Sequence, residues 1–309
     1  MRILITGGAG FIGRHLAQRY SGKAEVTILD NGSSGSLLNL KRLPCTIIEG
    51  SVLDKKLVNQ AVEGVDCVFH LAAFVSAADS VNNPRDCLNL NITGLRNVLE
   101  ESSKAGVGKL LFASSAAVYG ENPESPKRES MMPSPGSPYA LTKVIGEQLC
   151  EFFHREKKMG TACFRFFNVF GPGQNPKGPY AAVIPRFVTR ALKGESLQIY
   201  GDGRQTRDFI YVLDVVEALV LGAACEAMTG VFNVGWGYAI SINSLAKKVL
   251  KLTGSSAGLI YGKSRSGEVG HSVASVAKLL RSGWKPKISL NEGLELFINN
   301  NKSGRQEDT

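Results

Sequence analysis

Tyr139 and Lys143 stand four apart in the stretch PYALTK, so on a helix their side chains share one face. A phenol with an ordinary pKa of about 10 is a poor base at neutral pH, and a nearby ammonium favours its phenolate. The pair can therefore serve as a proton acceptor and its electrostatic partner. Ser115 lies just past an apolar run at 109–113, where its hydroxyl can hydrogen-bond an oxygen that gives up a proton. Far upstream, TGGAGFIG at 6–13 sets Gly7, Gly10 and Gly13, with Gly8 beside them, between an apolar run and a helical pattern. Such a turn needs bare backbone where a phosphate approaches, and the helix behind it offers free N–H groups and partial positive charge. Asp30 closes the next apolar run, at the distance where a carboxylate accepts from ribose hydroxyls. Proton removal beside a bound dinucleotide is the chemistry these residues suit.

A frame must bring these groups together. Strand patterns at 3–5, 26–29, 45–49, 66–71, 109–113 and 161–166 alternate with helical patterns at 11–20, 55–62, 84–104 and 139–158. The alternation predicts an α/β fold, a doubly wound parallel sheet of Rossmann type with helices on both faces. Ligands of such sheets bind at the carboxyl edge, where Ser115 falls. The alternation weakens after 167. A stretch rich in Gly, Pro, Asn and Tyr at 171–182 reads as a binding loop, and 184–193, 214–224, 241–253, 273–281 and 290–300 read as helices. Strands at 209–212 and 231–234 are expected to return to the sheet. The reading assigns 1–167, with about 207–235, to a dinucleotide-binding domain, and about 168–206 and 236–301 to a smaller, discontinuous C-terminal substrate domain; 302–309 reads as a disordered polar tail.

Composition narrows the class. The chain has 309 residues, 43% hydrophobic and 20% charged, as suits a globular enzyme, and no apolar run approaches the length of about 18 residues that spans a membrane. It opens on a core strand rather than a leader pattern, so no signal peptide is expected. Cys45, Cys67, Cys87, Cys150, Cys163 and Cys225 show no CxxC spacing and read as reduced thiols in a cytoplasmic protein. The net charge of +9 is scattered, without the aromatic-basic pattern of a nucleic-acid binder; part of it suits anionic ligands. His15, His70, His154 and His271 have no metal-ligand spacing, so no metal is expected, and His70 reads as packing at a strand end.

The order of these blocks resembles the extended short-chain dehydrogenase/reductases, and within them the nucleotide-sugar epimerases. The resemblance runs nearly the whole chain, through TGGAGFIG, LDNGSSG from Leu29, HLAA from His70, SSAAVYG from Ser114, PYALTK, RFFNVFGPGQNP from Arg165, VIPRF from Val183, YGDGRQTRDFIYVLD from Tyr200 and SGEVGHSVASVAKLLRSGW from Ser266. It implies Ser115, Tyr139 and Lys143 as catalytic residues, with Ser114 a loop serine. It implies an NAD site formed by Gly7, Gly10, Phe11, Ile12, Gly13, Asp30, Asn31, Ser51, Val52, Leu71, Ala72, Ala73, Asn91, Tyr139, Lys143 and Phe166. Lys143 would hold the nicotinamide ribose, and with the nicotinamide charge lower the Tyr139 pKa. On the substrate side the resemblance implies Ser115, Asn168, Val183, Tyr200 against uracil, Arg207 and Arg265 on the diphosphate, Glu268 on the uridine ribose, and Ser272 beside the sugar. The long helices from Pro84 and Tyr139 resemble those of a homodimer interface in the family.

Two positions depart from the family. Ser51 stands where an Asp usually meets the adenine amine, and Arg14 replaces a small residue, hinting at a 2′-phosphate; Asp30 argues for NAD, because its charge repels such a phosphate. Relatives that dehydrate or decarboxylate sugars carry carboxylates just after the catalytic serine, where this chain has Ala116 and Ala117. The expectation is therefore NAD-dependent C4 epimerisation of a UDP-hexose through a transient 4-keto sugar. A small Ser272 points to UDP-GlcNAc/UDP-GalNAc, with UDP-glucose/UDP-galactose also accepted. The alternatives are an NAD(P)-dependent reductase of a nucleotide-linked keto sugar and a non-catalytic dinucleotide sensor. The intact Ser115, Tyr139 and Lys143 count against the sensor.

Overall fold

The computed structural model describes residues 1–176, 182–264 and 269–303. Its strands are β1 (Arg2–Thr6), β2 (Glu25–Asp30), β3 (Thr46–Glu49), β4 (Cys67–His70), β5 (Lys109–Ser115), β6 (Gly160–Phe166), β7 (Asn168–Phe170), β8 (Leu197–Tyr200), β9 (Thr206–Tyr211), β10 (Gly230–Val234), β11 (Ala239–Ser241), β12 (Leu259–Gly262) and β13 (His271–Ser272). Its helices are α1 (Phe11–Tyr20), α2 (Lys55–Ala61), α3 (Ala77–Asn82), α4 (Pro84–Leu88), α5 (Gly94–Lys104), α6 (Pro138–Lys157), α7 (Val183–Leu192), α8 (Val212–Ala224), α9 (Ile242–Thr253), α10 (Ala277–Arg281) and α11 (Leu290–Ser303).

Seven strands form one parallel sheet in the order β10-β6-β5-β4-β1-β2-β3. Alternation along each strand feeds opposite faces. Ile3, Ile5, Phe69 and Leu111 pack under α1 and α8 with Leu16 and Leu219. Leu4, Val68, Leu110 and Phe112 pack on the other side with Val58, Leu95 and Phe153 of α2, α5 and α6. Apolar side chains on both faces are what a sheet covered by helices on both sides requires. The expected Rossmann-type fold is thus the observed one.

A third core joins α7, β9, α9 and α11 through Phe187, Tyr211, Leu245 and Phe297, and Phe11 and Ile12 of α1 pack against it. Here four expectations are corrected. Strand β9 does not return to the large sheet. It pairs with β7, β11 and β13, because the place beside β6 is taken by β10 and Phe209 and Tyr211 of β9 are buried in the third core. The pattern at 273–281 is helical only from Ala277; before it, Lys127 donates its N–H to Val273 O at 2.8 Å and accepts from Ser275 N at 2.8 Å, so that backbone is used in pairing. The long helix at 84–104 is interrupted by a π-helical turn, Asn89–Thr93, between α4 and α5. Lys302 and Ser303 extend α11 rather than starting a tail, and 304–309 lie outside the described residues.

Candidate active site

The ends of β1, β2 and β4 meet at a narrow cleft of about 40 Å³ lined by Gly7, Asp30, Asn31, Ser51, Val52, Ala72 and Ala73. Backbone packing makes it. A Cβ on Gly7, whose φ is +72°, would lie 2.6 Å from Ala72 N, and one on Gly13 would lie 2.2 Å from Gly7 O. Gly10 precedes α1 with no side-chain cap, so no side chain takes up the N–H groups of the first turn, where Phe11, Ile12 and Gly13 stand. Asp30 is buried; its Oδ2 accepts from Ala9 N at 2.9 Å and its Oδ1 from Gly32 N at 2.8 Å, which fixes the carboxylate in the cleft wall. Leu71 follows β4 with its N–H on Thr6 O at 3.0 Å. Bare backbone, an uncapped helix start and a fixed carboxylate fit a dinucleotide. Arg14, the residue that hinted at a 2′-phosphate, is turned to the loop after β7. Its Nη2 donates to Pro172 O at 2.5 Å, and His15 Nε2 meets the same oxygen at 2.9 Å.

At the neighbouring strand end the catalytic candidates converge. Ser115 is the last residue of β5, one step earlier in the structure than its expected place beyond the strand, and its Oγ accepts from Ala117 N at 3.1 Å. Helix α6 starts with Pro138, and Ser137 Oγ accepts from Ala140 N at 3.1 Å; this cap fixes Tyr139 as the second helical residue. The Tyr139 N–H donates to the buried Ser80 Oγ at 3.1 Å, and Ser115 is near enough to its phenol to favour the phenolate. Lys143 is buried one turn on. Its Nζ donates to Ala113 O at 2.7 Å and lies 5.6 Å from the Tyr139 ring centre and 4.9 Å from that of Phe112.

Burial pulls the Lys143 pKa down to about 8. Burial also raises that of Tyr139, against the opposing pull of the Ser115 hydrogen bond. The Lys143 ammonium is committed to Ala113 and stands 5.6 Å from the ring centre, and desolvation sets the direction for Tyr139. Ser114 is not a loop serine but a buried strand residue bound to Glu147. Asn91, from the π-helical turn, spends its amide on the protein: Phe74 N donates to its Oδ1 at 2.7 Å, and its Nδ2 donates to Thr142 Oγ1 at 2.9 Å. It fixes the α6 face beside Tyr139 and Lys143.

Beyond Ser115 a cavity of about 550 Å³ opens between the large sheet and the third core. Ser115, Phe166, Asn168, Val183, Tyr200, Arg207 and Ser272 line it, from β5, β6, β7, α7, β8, β9 and β13. Phe166, expected beside the dinucleotide, thus faces this cavity. Ser272 pairs directly opposite Arg207. Ala116 and Ala117 are in the wall, and no carboxylate lines the cavity among the described residues. Arg265 and Glu268 lie outside the described residues. Sequence reading missed Arg186, which lines the same cavity with its guanidinium 5.4 Å from the Tyr200 ring centre. Its signal was present in VIPRF, three residues after Val183 and so on the same helical face.

His70 is buried against Phe112, meets Thr6 Oγ1 through Nδ1 at 2.9 Å, and is pulled by burial to a pKa of about 3, as a neutral packing residue should be. Among the described residues no group of three or more His, Cys, Asp or Glu is placed to hold a metal ion, and no helix is long and apolar enough to cross a membrane.

Comparison with known proteins agrees with this geometry. Residues 3–235 match the NAD dependent epimerase/dehydratase family. The UDP-glucose 4-epimerase of Thermotoga maritima, solved with UDP-glucose, is 39% identical and superposes with a TM-score of 0.95 over 99% of this chain and 100% of that one. The UDP-N-acetylglucosamine 4-epimerase of Methanobrevibacter ruminantium M1, solved with UDP-N-acetylmuramic acid, is 37% identical, with a TM-score of 0.95 over 98% of each chain. A UDP-N-acetyl-alpha-D-glucosaminuronate decarboxylase of Bacillus cytotoxicus is 38% identical over 269 residues, 84% of this chain and 83% of that protein. With three quarters of its length inside the family match and a fold shared end to end with solved members, this chain belongs to the NAD-dependent epimerase/dehydratase family.

Proposed function

We propose that this protein is an NAD-dependent UDP-sugar 4-epimerase whose preferred pair is UDP-GlcNAc and UDP-GalNAc, with UDP-glucose and UDP-galactose also accepted. The observation that carries the reading is the cavity floor. Ser115 lines it with Ala116 and Ala117 beside it, and the Tyr139 phenol stands next to Ser115. Tyr139 can there take a proton from O4, and no carboxylate among the described lining residues is available for elimination. This separates the reading from the chemistry of the decarboxylase relative.

On this reading Tyr139 accepts the O4 proton, Ser115 orients that hydroxyl, and Lys143 holds the nicotinamide ribose. NAD, held at the cleft by the residues named above, would supply the reversible hydride acceptor for C4 of the sugar. Residues 1–167, with α8 and β10, hold the dinucleotide. The surrounding elements hold the nucleotide sugar: Asn168, Arg207 and Arg265 its diphosphate, Tyr200 and Val183 its uracil, Glu268 its ribose. Arg207 and Arg186 bring positive charge to a cavity that must hold a diphosphate. Ser272, opposite Arg207, leaves room for an acetamido group at C2.

The protein is further proposed to be a cytoplasmic homodimer. All six cysteines are free thiols, as suits a reducing compartment. Leu141 and Phe152, on one side of α6, are 42% and 46% exposed and offer an apolar stripe to a second copy. Incubation with NAD and each UDP-sugar separately, followed by resolution of the C4 epimers, tests the substrate assignment. Conversion of UDP-glucose with none of UDP-GlcNAc would refute the preference while leaving the epimerase reading in place.

A further inference from the structure

Among the described residues, one charged pair is buried on both sides. Glu147 and Arg165 have side chains 4% exposed, and Arg165 grips the carboxylate twice, Nε to Oε1 at 2.8 Å and Nη2 to Oε2 at 2.7 Å. Ser114 Oγ donates to the same Oε1 at 2.5 Å. Three elements meet in this knot: Ser114 on β5, Arg165 directly opposite it on β6, and Glu147 on α6. The knot also reaches the cavity wall. The Arg165 guanidinium lies 4.8 Å from the ring centre of Tyr119, whose hydroxyl donates to Asn233 Oδ1 at 2.6 Å; Tyr119 lines the cavity beside Ala117.

Its position along α6 gives it a use. Tyr139, Lys143 and Glu147 follow one another at four-residue intervals, so they share one face of the helix. On β5, Ser114 is covalently next to Ser115. Tyr139 and Ser115, the two groups that must meet the same sugar oxygen, thus sit on separate elements joined at their bases by this knot. Burying a bidentate ion pair is not a route to stability, since well-packed apolar residues of similar volume usually serve as well or better. What an ion pair supplies that apolar residues do not is a fixed register.

We propose that Glu147 and Arg165, with Ser114, are positioning residues that set α6 against the end of β5 and so hold Tyr139 and Lys143 in reacting geometry with Ser115. The inference rests on the catalytic roles proposed above. A misplacement of the order of 1 Å at a reacting group costs about 100-fold in rate, so a modest slip of α6 is enough to be read.

The test compares Glu147→Gln with the double variant Glu147→Gln/Arg165→Gln, which strands no buried charge, and with Ser114→Ala, which alters no charge. Rates are taken per NAD-loaded protein, with kcat and KM resolved. Each variant is expected to lose kcat, by about 10- to 100-fold for the first two and less for Ser114→Ala, with KM for the UDP-sugar changed little. The alkaline limb of the Glu147→Gln profile is expected to move to lower pH, because Glu147 is one of the groups, with Cys87 and Cys150, that support the charge of Lys143 against burial. A purely structural pair would lower the melting temperature and leave kcat and the pH profile of the folded enzyme alone; that result overturns the proposal. If Glu147→Gln does not fold, the double variant and Ser114→Ala decide it by the same criterion. Should the wild-type protein epimerise nothing, the functional reading has failed. The positioning claim is then read from a crystal structure of Ser114→Ala, where an unmoved α6 and an unchanged Tyr139–Ser115 distance refute it.

Discussion

At the dinucleotide cleft, Gly7 and Gly13 leave no room for a Cβ, and the wall is backbone pressed on backbone. At the sugar cavity the wall is side chains: Tyr200 from β8, Arg207 from β9, Ser272 from β13. The first site is built on one βαβ unit and its carboxylate, closed by the backbone that follows β3 and β4. The second is assembled by short strands that meet only after β9 has left the large sheet. Substitution should therefore act differently on the two sides. Side-chain changes at the cavity should alter rate or selectivity in a folded enzyme, whereas adding a methyl group at the cleft should remove cofactor and stability together.

The largest effect is expected from Tyr139→Phe. It keeps the ring and removes the proton acceptor, so turnover should fall by about two to four decades while NAD stays bound. Near-normal turnover would remove Tyr139 from the proton transfer. Ser272→Tyr comes next. A bulky ring opposite Arg207 should overpack the acetamido space, cutting kcat/KM for UDP-GlcNAc by about 10- to 200-fold while sparing UDP-glucose. Equal losses on both sugars would show that Ser272 does not face C2.

On the cleft side, the Cβ of Gly13→Ala would come within 2.2 Å of Gly7 O and 2.7 Å of Gly8 Cα, both backbone atoms that cannot swing aside. The turn must open, at a cost of about 1–3 kcal/mol, and the variant should purify without NAD and melt earlier. Full NAD occupancy would mean that the turn is not backbone-limited.

The smallest expected effect is one of pH. Lys143 has its pKa lowered to about 8 from an ordinary 10.5, so its charge is present below that pH and is lost as pH rises through it. Activity that depends on the charge should fall above about pH 8 by about tenfold per unit. The limb should be absent in Lys143→Arg, whose guanidinium stays charged. The same alkaline limb in both proteins would assign it to another group.

The cleft was legible in the sequence because its determinants are local. TGGAGFIG, the apolar runs beside it and Asp30 lie within one unit, and periodicity predicts that unit directly. The face of the helix that carries Tyr139 was legible for the same reason, from the four-residue spacing to Lys143, while its Ser137 cap and its start at Pro138 came from the structure. What escaped depends on pairing between distant segments. Nothing near Phe209 signals that β10 will take the place beside β6, so the return of β9 was misjudged. Residues 273–276 have a helical pattern, yet their backbone is claimed by Lys127 from a loop far upstream. Ser114 looked like a loop residue because its partners are distant in sequence: β6, where it lies opposite Arg165, and Glu147, 33 positions away. Arg186 was in plain view in a quoted motif, but its use becomes visible only when Tyr200 is folded against it.

The central claim is that the C4 hydrogen leaves and returns within one protein-bound complex, with Tyr139 handling only the O4 proton. The most direct measurement is the fate of deuterium placed at C4 of UDP-GlcNAc. After incubation with the NAD-loaded protein, the UDP-GalNAc formed should carry the deuterium at C4, with no net change in reduced cofactor. Epimer carrying solvent hydrogen at C4, cofactor consumed in proportion to sugar, or no C4 epimer from any UDP-hexose would contradict the account.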